Sequence, residues 1–273
     1  ITNAYTRDNN DLKITKEVNG EGVPVADTDV ADEQFTFEIT APSTIDTSKL
    51  AGPFTVENAT SGSLSFNAAG KATVTMTGAE TVTIKGLPNG EYTVTETGSP
   101  ADLKTAYYAG NNGAQSATVS ADTAGEVTII NTYKPYLTLA ITKSVTGEMG
   151  SSEDYFDFTL TGVDSDQYEL EQDRESEDAN FKLNNGSTVT LTGLKPGDIV
   201  TISETTANGY TAKGITIAEG SALTEEAFSN QTTTSVTITI PEGNAANLGT
   251  VIFTNHREAV APTGLESNHT TPY

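Results

Sequence analysis

Lysine, glutamate and asparagine recur in that order, twice, each at a position that strand parity assigns to a core. Residues two apart in a strand share a face. Leu12, Ile14 and Val18 lie on one such face and Lys16 falls among them, while Leu137, Leu139, Ile141 and Val145 surround Lys143 in the same way. Tyr92 and Val94 lead by steps of two to Glu96, and Val200 and Ile202 lead to Glu204. Val127 and Ile129 lead to Asn131, and Val251 and Phe253 lead to Asn255. An unpaired ammonium or carboxylate costs several kcal/mol to bury, so these groups must compensate one another. Two arrangements do so. In the first, lysine and glutamate form a buried ion pair with asparagine as a hydrogen-bonding neighbour. In the second, desolvation lowers the lysine pKa and raises that of the glutamate, giving a neutral amine beside a protonated acid. The amine then attacks the asparagine side-chain carbonyl, while the acid polarises that carbonyl and relays a proton to the departing ammonia. The product is an uncharged amide crosslink. Taken alone, these residues leave both arrangements open.

The strands that must carry these groups form a repeat. Thr81–Thr97 reads TVTIKGLPNGEYTVTET and Thr188–Thr205 reads TVTLTGLKPGDIVTISET, the second with one extra residue near Asp198. Upstream lie LKITKEV (Leu12–Val18) and LAITKSV (Leu139–Val145), and downstream VTIIN (Val127–Asn131) and VIFTN (Val251–Asn255). FTFEI (Phe35–Ile39) corresponds to FDFTL (Phe156–Leu160), each alternating apolar and polar residues as in a sheet with one buried face. Thr132-Tyr133-Lys134-Pro135 is expected to be a short connection whose proline ends one strand before the next begins. The expected architecture is all-β, with two tandem Ig-like sandwich domains over 1–134 and 135–258 and a tail over 259–273.

Composition narrows the function. The 273 residues suffice for two cores, and abundant threonine and valine with Gly, Asn and Asp turns favour strands. A formal net charge of −23 opposes nucleic acid and anionic lipid as partners. With no cysteine, neither disulfides nor thiolate zinc sites can form, so any covalent staple needs other chemistry. His256 and His269 fit neither a zinc spacing nor a catalytic triad. Asp164-Ser165-Asp166 begins like a calcium loop, but Glu169 stands where its glycine should be, and neither a metal nor a cofactor is expected. The acidic run Glu169–Asp178 reads as a solvated loop or short helix. No apolar run approaches the roughly 18 residues of a membrane span, and Ile1 does not begin a signal peptide.

The strand ending in T-K near each domain start, the G-L turn leading to a strand that ends in Glu, and the closing strand ending in Asn resemble the Cna-B-type domain of Gram-positive pilins and adhesins. The resemblance covers nearly the whole chain in two copies and is closest to two-domain streptococcal backbone pilins. It implies autocatalytic isopeptide bonds, Lys16 to Asn131 with Glu96 as catalytic acid, and Lys143 to Asn255 with Glu204. It favours the crosslink over the ion pair. It further implies a structural subunit on the cell surface that is not an enzyme beyond this self-reaction. Its partners would be identical subunits joined head to tail, a pilus-type sortase, and accessory pilins or host matrix.

Val260-Ala261-Pro262-Thr263-Gly264 resembles a sortase signal cut between threonine and glycine, with proline directly before Thr263 where the common form spaces them by one residue. Only Leu265–Tyr273 follow, so the chain is expected to stop short of a membrane anchor. Polymerisation needs an acceptor lysine, and the frequent Y-P-K motif is missing. With seven strands alternating up and down, Lys134 would fall at the domain junction, whereas Lys13 and Lys85 would point outward at the opposite end. Two other functions compete. A host-binding adhesin or minor pilin would show an exposed aromatic patch, for which Tyr107-Tyr108 is the candidate unless those rings cover a loop. A carbohydrate-binding module would want tryptophan platforms, and the chain has no tryptophan.

Overall fold

A computed structural model describes residues 8–162, 180–243 and 245–259. The chain divides between Pro135 and Tyr136 into two compact units. Among the described residues the regular structure is strand, with three short 3-10 turns and no α-helix.

The first unit contains β1 (Asn9–Gly20), β2 (Gln34–Thr40), β3 (Phe54–Glu57), β4 (Ser63–Leu64), β5 (Lys71–Thr77), β6 (Thr81–Pro88), β7 (Gly90–Thr97), β8 (Ala106–Asn111), β9 (Gln115–Val119) and β10 (Gly125–Pro135). One sheet runs β4-β3-β6-β1-β10-β8 and the other β5-β2-β7-β9. The second unit contains β11 (Leu137–Thr146), β12 (Phe156–Thr161), β13 (Asn180–Leu183), β14 (Thr188–Leu194), β15 (Ile199–Thr205), β16 (Thr211–Ile217), β17 (Phe228–Ser229), β18 (Ser235–Thr239) and β19 (Asn247–His256). Its sheets run β14-β11-β19-β16 and β13-β12-β15-β18-β17. Each unit is a β-sandwich.

The alternating patterns bury the faces expected of them. Phe35, Phe37 and Ile39 of β2 and Phe156, Phe158 and Leu160 of β12 are all core residues, each stabilising its sandwich by roughly 1.5–3 kcal/mol. In both units the first strand pairs in parallel with the last, β1 with β10 and β11 with β19. Adjacent parallel strands need a long crossover, and here the rest of the sandwich supplies it. The repeated Gly-Leu pair also has a structural cause. Gly86 and Gly193 adopt φ of +70° and +75°, which glycine reaches without steric cost. Each sits at a break in register, between Asn10 and Leu12 in β1 and between Leu137 and Leu139 in β11. The bulge carries an extra residue and returns the following leucine to the buried face.

Three expectations are corrected. Thr132–Pro135 is the end of β10, where Tyr133, Lys134 and Pro135 pair with Tyr108, Tyr107 and Ala106 of β8. Pairing with β8 carries the strand past Asn131, so Tyr136 alone separates β10 from β11. The units contain ten and nine described strands rather than seven, because two-to-four-residue strands such as β3, β4 and β17 extend the sheet edges and are too short to show periodicity. Tyr107 and Tyr108 lie in β8 itself. Tyr107 is buried, and Tyr108 is half-buried with its ring edge-on to Tyr133 at 5.9 Å, so no open aromatic patch forms there. The acidic run Glu169–Asp178 and Asp164–Asp166 lie outside the described residues.

Candidate functional site

The parallel pairing places lysine and asparagine side by side. Lys16 is in register with Ile129 and Val18 with Asn131, so the lysine and asparagine share a face one pleat repeat apart. The second unit repeats that offset, with Lys143 against Phe253 and Val145 against Asn255. The glutamates come from the facing sheets, where Glu96 of β7 is opposite Phe37 and Glu204 of β15 is opposite Phe158. All six predicted polar residues are thus brought together in two groups of three.

Both groups are buried. Lys16 and Glu204 are 1% and 6% exposed, Asn131, Lys143 and Asn255 are 0% exposed, and the Glu96 side chain is 2% exposed. In the first unit, Lys16 Nζ lies 3.2 Å from Glu96 Oε2 and donates to the Ile129 carbonyl at 3.3 Å, while Asn131 Nδ2 donates to Glu96 Oε1 at 2.9 Å. In the second, Lys143 Nζ donates to the carbonyls of Phe253 (3.0 Å) and Ser144 (3.1 Å) and stands 3.5 Å from Glu204 Oε2. That last contact has ion-pair distance without hydrogen-bond alignment, and Glu204 Oε2 is left without a donor. Asn255 Nδ2 donates to Glu204 Oε1. A phenyl ring covers each ammonium, Phe35 at 4.9 Å from Lys16 Nζ and Phe156 at 4.4 Å from Lys143 Nζ.

Burial works against the charges of Lys16, Lys143 and Glu204. Desolvation pulls Lys16 down to about 8 in spite of the opposing attraction of Glu96. Lys143 is lowered for the same reason against Glu204, and Glu204 is raised by desolvation against Lys143. A neutral lysine has a lone pair to offer, and a protonated glutamic acid has a hydrogen to donate. The carbonyl oxygens Asn131 Oδ1 and Asn255 Oδ1 are both buried without a donor. A proton on Glu204 Oε2 would turn an orphaned acceptor into the donor that Asn255 Oδ1 lacks. The arrangement therefore suits nucleophilic attack on a polarised amide.

The other sequence candidates lie apart from these groups. Lys13 is exposed and pairs with Glu126 at 2.8 Å. Lys85 lies between Glu57 and Asp11, 3.1 Å from each, and those hydrogen bonds raise its pKa. Lys134 faces Glu21 at 3.4 Å. Pro262, Thr263 and Gly264 lie outside the described residues. Among the described residues no group of His, Cys, Asp and Glu is arranged to hold a metal ion.

Sequence parity missed the covering phenyls and the carbonyl acceptors. The aligned F-x-F motifs at Phe35 and Phe156 carry a signal for the rings, whereas a backbone carbonyl leaves none. Tyr133 was also missed. It continues the face of Asn131 by two residues and is fully buried.

No curated protein matches the chain. In fold it is similar to the T-13 major pilin of Streptococcus pyogenes (17% identity, TM-score 0.46, covering 91% of this chain and 97% of that one). It is similar also to another major pilin of that organism (17% identity, TM-score 0.42, covering 92% and 99%). Residues 10–133 and 137–257 each match one family profile, so the chain belongs, through two tandem copies, to the family described as a domain of unknown function, DUF7601.

Proposed function

We propose that the chain is a backbone subunit of a sortase-assembled pilus on a Gram-positive cell surface, with domains over 1–134 and 135–258 each stapled by a self-formed isopeptide bond. The observation that carries this reading is the pair of Lys-Glu-Asn groups built with one register in both sandwiches. Lys16 Nζ attacks the Asn131 side-chain carbon, and Lys143 attacks that of Asn255. A bond from lysine nitrogen to carbon forms, the bond from carbon to Nδ2 breaks, and ammonia leaves. Glu96 and Glu204 donate to the carbonyl oxygen as negative charge develops there, take the proton shed by the attacking amine and pass it to the leaving nitrogen. Two buried charges disappear from each core.

Assembly rests on the tail over 259–273. Cleavage after Thr263 in Pro262-Thr263-Gly264 by a pilus-type sortase would leave an acyl group for a lysine of the next subunit. Lys13 and Lys85 are the proposed acceptors. Both are engaged by carboxylates in this chain, so the sortase must displace Glu126 in one case or Asp11 and Glu57 in the other.

Intact-mass spectrometry tests the central step. The expected mass falls short of the sequence mass by two molecules of ammonia, and an unmodified mass sinks the proposal. Incubation with a pilus-type sortase is expected to give covalent ladders, and their absence with the crosslinks intact would return the molecule to the adhesin class.

A further inference from the structure

The first unit holds a second polar orphan beside its Lys-Glu-Asn group. Tyr133 is fully buried, and its hydroxyl has no hydrogen-bond partner. Leaving a buried donor unsatisfied costs about 1–3 kcal/mol, and phenylalanine would fill the same space without that cost. Tyr133 sits on β10 two residues beyond Asn131 and on the same buried face, with its ring held edge-on by Tyr108. The carboxylates whose charge reaches this hydroxyl include Glu33 and Glu96, and Glu96 belongs to the group. Asn131 Oδ1, on the neighbouring inward position, is an acceptor that lacks a donor. A donor without an acceptor and an acceptor without a donor thus occupy successive inward positions of one strand. The second unit is built differently. Its position two beyond Asn255 is Arg257, and its buried Tyr210 donates to Asp154 at 2.7 Å and accepts from the Ser151 amide at 3.0 Å.

Building on the crosslinking reading above, we infer that Tyr133 is a positioning residue for the first crosslink, its hydroxyl donating through one buried water to Asn131 Oδ1 and steadying the oxyanion that forms there. A polar niche with two unmet partners suits a bridging water. Tyr133 gives up no proton. The bonds made and broken, and the ammonia released, are those of the reaction already written.

The two units make each molecule its own control. The full chain, wild type and Tyr133→Phe, is synthesised in a cell-free system, quenched in denaturant at intervals and digested. Mass spectrometry then follows the joined Lys16–Asn131 and Lys143–Asn255 peptides. Tyr133→Phe is expected to slow the first joining by about tenfold or more, less than the hundredfold or greater loss of a direct oxyanion donor, and to leave the second at the wild-type rate. Equal rates for both proteins, or an equal slowing of both joinings, overturn the inference. Thermal unfolding in an Asn131→Ala background, which removes the proposed acceptor, supplies a second readout. There Tyr133→Phe is expected to leave stability unchanged, and a fall would assign the hydroxyl a structural bond and overturn the inference. Failure of the wild type to join Lys16 to Asn131 at all would instead defeat the crosslinking reading, and this inference with it.

Discussion

The two buried groups share one register and differ in what surrounds it. In the first unit the ammonium of Lys16 is held mainly by its carboxylate, 3.2 Å away, with one main-chain carbonyl. In the second, Lys143 is held by two carbonyls, and its carboxylate stands back at 3.5 Å. A neutral amine has two N–H groups, so the two carbonyls in the second unit can absorb both and leave the lone pair free. In the first, one N–H remains committed to Glu96. The covering ring is nearer in the second unit, and the neighbouring tyrosine is anchored there rather than orphaned. Backbone pairing fixes which three groups meet, and their local ligands set how readily protons move among them.

The strongest way to break this comparison is to remove the acids. Glu96→Ala and Glu204→Ala are each expected to restore one ammonia to the mass and to lower stability by about 5 kcal/mol, the order expected for opening a covalent loop of about 100 residues. Calorimetry beside mass spectrometry checks both. If either variant still falls two ammonia molecules short of its own sequence mass, its glutamate has been misassigned.

Next in size is a pH effect of the buried groups, which for Lys16 requires that the crosslink be absent. In Asn131→Ala, Lys16 survives as a free amine lowered to about 8 from an unfolded value near 10.5. Between those values the unfolded chain binds the extra proton, so stability should rise with pH across that window, by at most about 3 kcal/mol. Asn255→Ala leaves Glu204 free with a raised pKa. There the folded state binds the extra proton, so stability should fall as pH climbs from about 4.5 through the raised value. Denaturant titrations over pH check both signs, with the crosslinked wild type as the flat reference for Lys16.

A smaller effect separates the tyrosines. Tyr210→Phe loses its bond to Asp154 and strands the Ser151 amide, at a cost of about 1–2 kcal/mol, whereas Tyr133→Phe in the Asn131→Ala background should cost nothing. The smallest effect on stability is expected from Lys13→Ala, whose partner Glu126 is exposed. Little change in melting temperature should accompany it, and loss of sortase ladders would identify Lys13 as the acceptor.

Much of this was legible in the sequence because strand parity is a two-valued code. Lys16, Glu96 and Asn131, like Lys143, Glu204 and Asn255, interrupt runs of apolar residues at inward positions, and a polar residue there must have partners. The Gly-Leu repeat was readable as a turn signal, but its real part, a bulge opposite the first strand, depends on pairing that one strand does not reveal. The extension of β10 through Pro135 was hidden because a proline at a strand end reads as a stop, and only the presence of β8 beside it makes the last rungs. The carbonyls that hold Lys143 carry no residue signature at all.

The parallel pairing of first and last strands has a mechanical consequence. The chain enters each unit at the start of one strand and leaves at the end of its neighbour, so a pull between entry and exit loads the pair in shear, all rungs together rather than one at a time. With the proposed bonds in place, the load in the first unit would run along β1 to Lys16, cross to Asn131 and leave through the end of β10. Everything from Glu17 to Ile130 would then hang beside the load path as slack that force never reaches.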